Sequence, residues 1–241
     1  MKTLFCKIVG IIGIVVVCVS CSKSFWIKGN GDLVISEKPV STFEKIKCTG
    51  VAEVRFHASE EYRAVVTVDS NLDEYVEIFT KNNVLHIGNK NDCGHSSYSF
   101  TKYLVDVYGP FVTAVTISGS GSFKGVDEIV ASTFEVAVSG SGKIDGIVVC
   151  EHFSVKISGS GKITVAGATK DADISISGSG RFNGNEFDTQ NATVHISGSG
   201  KANICVTDNL TAKISGSGEI SYRGEPKIDS TVSGSGRIRK M

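Results

Sequence analysis

The stretch Phe153-Ser154-Val155-Lys156-Ile157-Ser158-Gly159-Ser160-Gly161-Lys162-Ile163 decides the fold, because its tetrapeptide Ser-Gly-Ser-Gly returns at a regular interval along the chain. Copies begin at Ser118, Ser139, Ser158, Ser177, Ser197, Ser215 and Ser233. Successive starts are separated by 21, 19, 19, 20, 18 and 18 residues. A repeat of roughly 20 residues is typical of a solenoid, in which each repeat forms one turn of the chain.

Apolar residues recur at fixed positions on both sides of the tetrapeptide. The residue directly before it is always β-branched: Ile117, Val138, Ile157, Ile176, Ile196, Ile214 and Val232. A second apolar column lies two residues after it: Phe123, Ile144, Ile163, Phe182, Ala202, Ile220 and Ile238. The tetrapeptide is therefore a corner between two half-buried strands, where glycine permits positive φ and close stacking. A disordered Ser-Gly linker does not require such columns.

These columns predict an all-β fold, a right-handed parallel β-helix with about seven corners over residues 111–241. A β-rich section over 42–110 precedes it, in which Thr49-Gly50-Val51 resembles a degenerate corner. Asn82-Asn83 stands between two apolar runs and predicts a hairpin. The stacked serine hydroxyls are expected to hydrogen-bond to one another from turn to turn.

The N-terminus predicts export and lipidation. Residues 1–20 read as a lipoprotein signal peptide, with a basic start and an apolar stretch too short to span a bilayer. Cys18-Val19-Ser20-Cys21 resembles the bacterial lipobox, so Cys21 is the expected lipidation site and 21–41 the tether and first strand. By resemblance to bacterial lipoproteins, Ser22 indicates the outer membrane of the cell envelope, on its periplasmic or surface side. The expected partner is thus a membrane, reached through the lipid. An ordinary cleaved signal is the alternative.

No catalytic or metal-binding motif accompanies the repeats. The corner serines lie directly beside glycines, whereas in the nucleophile elbow Gly-x-Ser-x-Gly one residue separates the serine from each glycine. No spacing of Cys or His residues predicts a zinc site. No metal and no cofactor are therefore expected. The 25 basic and 25 acidic residues balance, which argues against nucleic acid as a partner. Cys150 and Cys205 lie in apolar runs and are expected to be buried thiols, while an oxidising compartment allows a Cys48–Cys93 disulfide.

One outward column is rich in positive charge. The residues that directly follow the tetrapeptides are Ser122, Lys143, Lys162, Arg181, Lys201, Glu219 and Arg237. Like charges one strand apart repel, so their alignment calls for an explanation. We predict an anion-binding strip for envelope or host glycans, or for lipopolysaccharide phosphates, made of Lys143, Lys162, Arg181 and Lys201. The competing interpretation is a solvated corner whose charges keep the protein soluble.

Three segments precede the serial corners: Phe43-Glu44-Lys45-Ile46-Lys47, Gly50-Val51-Ala52-Glu53-Val54 and Tyr62-Arg63-Ala64-Val65-Val66-Thr67-Val68-Asp69. Together with the corners, these segments resemble the head GIN domain family of Bacteroidetes envelope proteins. The resemblance covers about residues 42–238 and implies a non-enzymatic adhesin or binding module. A carbohydrate-active enzyme of the polysaccharide-lyase kind on the same scaffold and a structural spacer without a specific ligand are the alternatives. Uncovered end turns also predict self-association.

Overall fold

The computed structural model describes residues 25–90 and 96–241, and strands account for most of them. The N-terminal strands are β1 (Phe25–Lys28), β2 (Leu33–Lys38), β3 (Lys45–Gly50), β4 (Glu53–Ala58), β5 (Arg63–Asp69), β6 (Val76–Lys81), β7 (Val84–Asn89), β8 (Ser96–Ser99) and β9 (Tyr103–Gly109). The later strands are β10 (Ala114–Gly119), β11 (Ser122–Gly125), β12 (Ile129–Gly140), β13 (Lys143–Gly159), β14 (Lys162–Gly178), β15 (Arg181–Gly198), β16 (Lys201–Gly216), β17 (Glu219–Arg223), β18 (Lys227–Ser233) and β19 (Arg237–Lys240).

The repeats form a stack of parallel turns, which confirms the predicted β-solenoid. Each of β13 to β16 runs through nearly one whole turn and pairs in parallel with the strand one turn before and after it. The tetrapeptides stay in register throughout: Ser158-Gly159 pairs with Ser177-Gly178, which pairs with Ser197-Gly198. Every turn therefore presents equivalent residues one above the other, about 4.8 Å apart.

The two glycines of a corner are required for different reasons. Gly178, the first, has φ of 110°, and a Cβ there would lie 2.7 Å from the carbonyl oxygen of Gly159 in the turn below. Gly180, the second, faces inward, and a Cβ there would lie 2.4 Å from Cγ2 of Ile157. The second glycine thus receives the methyl group of the β-branched residue one turn earlier. This contact explains why the second glycine of each corner occurs together with a β-branched residue directly before the corners.

Backbone hydrogen bonds connect the corners, and the serine hydroxyls do not. Ser179 N–H donates to Gly159 O at 2.9 Å, and Arg181 N–H donates to Gly161 O at 2.9 Å. In the part of the chain that the structure describes, no hydrogen bond joins the corner hydroxyls, and apart from half-buried Ser118 the corner serines are exposed. The expected hydroxyl ladder is therefore wrong, because exposed hydroxyls can hydrogen-bond to water instead.

The interior of the stack is filled by the two predicted apolar columns. The column before the corners is buried from Ile117 to Ile214, and the column after them from Phe123 to Ile220. Phenylalanines pack between turns: the rings of Phe134 and Phe153 stack at 6.2 Å, and Phe187 meets Phe153 edge-on at 4.9 Å. Burial of such side chains stabilises a fold by about 1.5–3 kcal/mol each.

The N-terminal section continues the stack and then closes it. Thr49-Gly50 pairs with Ser118-Gly119, so the degenerate corner forms a turn below the first tetrapeptide. β7 and β9 pair in parallel beneath β3 and β4, after which β6, β5 and β2 pair antiparallel. Asn82 and Asn83 link β6 to β7 with φ of 52° and 59°, the geometry of a tight hairpin. The predicted hairpin is confirmed.

The other end of the stack is open among the described residues. β18 and β19 pair only with β16 and β17, on one side. All of β18 is exposed, including Ile228 and Val232 at 40% and 42% of their surface. The apolar columns thus reach solvent at the last turn.

A buried carboxylate, Asp69, fastens the loops that cover the N-terminal end. Its oxygens accept hydrogen bonds from Gly31 N–H and Thr101 N–H, each at 2.8 Å, and a Cβ on Gly29 would collide with them. Burial acts to raise the pKa of Asp69, but these donors, with the Thr101 hydroxyl and Lys102 N–H, outweigh it and hold the pKa below its usual value. The carboxylate is therefore structural and stays ionised.

We predict that Asp69→Asn lowers the free energy of unfolding at pH 7 by about 1–3 kcal/mol, since the amide cannot satisfy the same converging N–H donors. A lowered folded-state pKa stabilises the protein above pH ~4 and loses that effect as the pH falls through it. The loss of unfolding free energy in Asp69→Asn should accordingly become smaller at acid pH. Urea unfolding at several pH values measures this loss, with the exposed Asp229→Asn as control. Equal losses in the two variants, or a loss that does not depend on pH, would contradict the structural role of the Asp69 carboxylate.

Candidate functional site

The structure aligns the four residues of the predicted basic strip in one outward row. Lys143, Lys162, Arg181 and Lys201 begin β13, β14, β15 and β16, directly after successive corners. Lys143 pairs with Lys162, Lys162 with Arg181, and Arg181 with Lys201, and all four side chains are exposed. The row therefore carries one cation per turn, one strand spacing apart.

Acidic residues bound the basic strip at both ends. Beyond Lys201, Glu219 Oε2 lies 3.2 Å from Lys201 Nζ, and its other oxygen lies 2.6 Å from Arg239 Nε. The hydrogen bond from Lys201, opposed by burial and aided by nearby arginines, lowers the pKa of Glu219. At the other end Ser122 pairs with Glu53, which accepts two hydrogen bonds from Arg55. The strip is thus a bounded segment of the row.

Three cations of the strip have no acidic partner in the described structure. Across residues 25–90 and 96–241, no carboxylate oxygen lies within ion-pair distance of Lys143, Lys162 or Arg181. Lys201 is neutralised by Glu219. The positive potential is therefore concentrated at three consecutive turns.

A groove of about 460 Å³ lies beside the strip on the same outward side of the stack. We call it the polar groove and define it by Lys124, Asp145, Thr164, Asn183, Asn185 and Glu186. Thr164 and Asn183 follow the strip residues Lys162 and Arg181 by two positions, so they share the outward face of their strands. This groove was not predicted from the sequence. One pattern in the sequence indicated it, the polar column two residues beyond the strip: Asp145, Thr164, Asn183 and Asn203.

A second groove, of about 330 Å³, lies on the other side of the corners. Its lining includes the column Thr116, Ala137, Lys156, Ser175 and His195, in which the short side chains of Ala137 and Ser175 flank Lys156. Its walls expose mainly apolar atoms, although five of the lining residues are serines. It lacks the continuous charge of the strip.

The cysteines supply no reactive or metal-binding site in the described part of the chain. Cys48, Cys150 and Cys205 are buried free thiols, as expected for the latter two. Burial raises the pKa of Cys48 to about 12, and its Sγ donates weakly to Ala52 O. Cys48 is thus not in a disulfide, and Cys93, like the predicted lipidation site Cys21, lies outside the described residues. Within 25–90 and 96–241, no cluster of His, Cys, Asp and Glu is arranged to hold a metal ion.

A family model described as "Putative auto-transporter adhesin, head GIN domain" matches residues 42–226. The chain belongs to the head GIN domain family. The match spans the N-terminal section and all corners except the last, so the resemblance noted in the sequence is confirmed.

Solved structures of similar proteins share this fold. A "putative lipid binding protein" from Parabacteroides distasonis ATCC 8503 is 26% identical, with a TM-score of 0.75, over 90% of this chain and 99% of that one. A "putative adhesin" from Parabacteroides merdae ATCC 43184 is 27% identical, with a TM-score of 0.70, over the same shares. Another, from Bacteroides fragilis NCTC 9343, reaches a TM-score of 0.83 at 19% identity, over 89% and 100%, which shows the fold alone. Curated protein sequences provide no match.

The family description, with the Parabacteroides merdae structure, characterises the head GIN domain here as an adhesin-like binding module associated with the cell envelope or surface. Among residues 25–90 and 96–241, no helix has the length and apolarity needed to cross a membrane.

Proposed function

We propose that this head GIN protein is a non-enzymatic lipoprotein of the outer membrane that binds anionic glycans through its basic strip. The observation that carries the proposal is the row of Lys143, Lys162 and Arg181, which lie in register without acidic partners in the described structure. Stacking them costs electrostatic free energy, which an anionic polymer lying along the stack would relieve.

The geometry favours an extended ligand over a single anion. The strip repeats once per turn, so a polymer with acidic groups at intervals can occupy several cations at once. Each exposed contact is weak by itself, roughly 1 kcal/mol or less. Affinity would therefore come from the number of turns engaged, which is what a repetitive face provides.

Anchoring through Cys21 would place this face in the envelope. The sequence Cys18-Val19-Ser20-Cys21 supports lipidation at the second cysteine. We expect Cys21→Ser to abolish labelling by a fatty-acid analogue and to move the protein from the membrane fraction to the soluble fraction. Cys18→Ser is the matched control and should leave both properties unchanged. Retained labelling in Cys21→Ser would refute the anchor.

Reversing two charges tests the strip. With the chain from residue 22 onward, Lys162→Glu/Arg181→Glu should weaken binding to acidic polysaccharides by roughly tenfold or more, about 1.4 kcal/mol. Wild-type binding should also weaken as salt screens the charges. Lys156→Glu/Lys213→Glu, on the far side of the corners, makes the same change in net charge and should have little effect. Equal losses for the two variants would indicate a general charge effect, and unchanged binding would refute the strip.

The alternatives predict different outcomes in the same assay. A lyase would shorten the polysaccharide during incubation, whereas a binding module leaves its length unchanged. A structural spacer would bind none of the acidic polysaccharides. The open edge of β18 further favours self-association, which sedimentation at increasing concentration would detect.

A further inference from the structure

The polar groove contains buried oxygen atoms without hydrogen-bond partners. In the described part of the chain, Thr164 Oγ1, Asn183 Oδ1 and Asn185 Oδ1 are buried and make no hydrogen bond. All three residues line the polar groove. A buried polar atom that forms no hydrogen bond destabilises a fold, so such atoms gathered in one groove require an explanation.

A β-bulge shapes the same groove. Thr164 pairs with Asn183, but Ala166 pairs with Glu186, so Gly184 and Asn185 together oppose Val165. Arg223, two turns further along, donates from Nη2 to Asn185 O at 2.7 Å and holds the bulge in place. Bulges commonly redirect side chains next to binding sites. The longer turn thus brings Asn185 and Glu186 to the groove.

We propose that the polar groove binds the hydroxyl groups of a saccharide whose acidic groups occupy the basic strip. The inference rests on the proposed function and specifies its ligand class as an acidic saccharide. The unpaired atoms are hydrogen-bond acceptors, with the threonine hydroxyl also a donor, and they match sugar hydroxyl groups, which both donate and accept.

The charges of the groove complement those of the strip. Lys124, Asp145 and Glu186 belong to the groove, so two carboxylates outnumber one cation; the carboxylates accept hydrogen bonds and repel phosphate or sulfate. A bare anion is therefore suited to the strip alone. Since the asparagine side chains are half-buried and amide torsions are broad, rotation can turn their oxygens toward a ligand.

The positions of the two surfaces allow one polymer to reach both. Thr164 lies two residues after Lys162, and Asn183 two residues after Arg181, a distance of about 6.6 Å along each strand. Each of these turns therefore offers a cation and a hydrogen-bonding group side by side. An acidic polysaccharide along the stack would meet the same pair at consecutive turns.

The test compares polymers with and without sugar hydroxyls. Probes are polygalacturonate, alginate and heparin on one side, and inorganic polyphosphate on the other, measured by titration calorimetry with the chain from residue 22 onward. Thr164→Val/Asn183→Ala should weaken binding to the best acidic polysaccharide by roughly tenfold and leave polyphosphate within about twofold. Thr193→Val/Ser175→Ala, on the far side of the corners, is the matched control and should change neither.

Folding provides an independent readout. Because the removed atoms make no hydrogen bond, the groove variant should unfold at the same temperature as wild type or higher. Unchanged polysaccharide affinity, or equal losses for polysaccharide and polyphosphate, would overturn the groove assignment while leaving the strip in place. If Lys162→Glu/Arg181→Glu leaves all affinities unchanged, the proposed function is wrong. If the wild-type protein binds none of the polymers, both the groove assignment and the proposed function are wrong.

Discussion

The structure depends on the close approach of successive corners, where the second glycine of one turn lies against the β-branched residue of the turn before. Gly142, Gly161, Gly180, Gly200, Gly218 and Gly236 would each place a Cβ 2.4–2.6 Å from a methyl carbon of Ile117, Val138, Ile157, Ile176, Ile196 or Ile214. No side chain fits in that space without a shift of its neighbours, so the contact favours the observed alignment of neighbouring turns. The corners are therefore the fixed points of the solenoid, and the sides between them vary in length.

The binding surfaces follow from this constraint. Residues next to a corner inherit its register, which is why Lys143, Lys162, Arg181 and Lys201 form a straight row. Residues further along a turn are less constrained, and the bulge at Gly184 and Asn185 arises there. The basic strip is thus regular and the polar groove irregular. A ligand that contacts both would bind the basic strip through several equivalent cations and the polar groove through its local shape.

Much of the fold could be predicted because the decisive interactions are local and periodic. The glycine pairs and their β-branched neighbours recur at nearly constant spacing, which identified the corners, the interior and the strip. Even Thr49-Gly50 could be recognised as a corner from its glycine. The antiparallel closure by β5, β6 and β2 follows no repeat, and the bulge accepts a hydrogen bond from Arg223, which is remote in sequence. The serine hydroxyl ladder was wrong because a regular column does not reveal which atoms already have partners.

The most direct test of the corner contact is a double-mutant cycle between Gly180 and Ile157. Gly180→Ala alone should destabilise the protein by about 1–3 kcal/mol, because its methyl group overlaps Cγ2 of Ile157. Ile157→Ala removes that carbon, so in its background the added cost of Gly180→Ala should largely disappear. Unfolding free energies of the four proteins measure the coupling. Costs that simply add, within about 0.5 kcal/mol, would contradict the account.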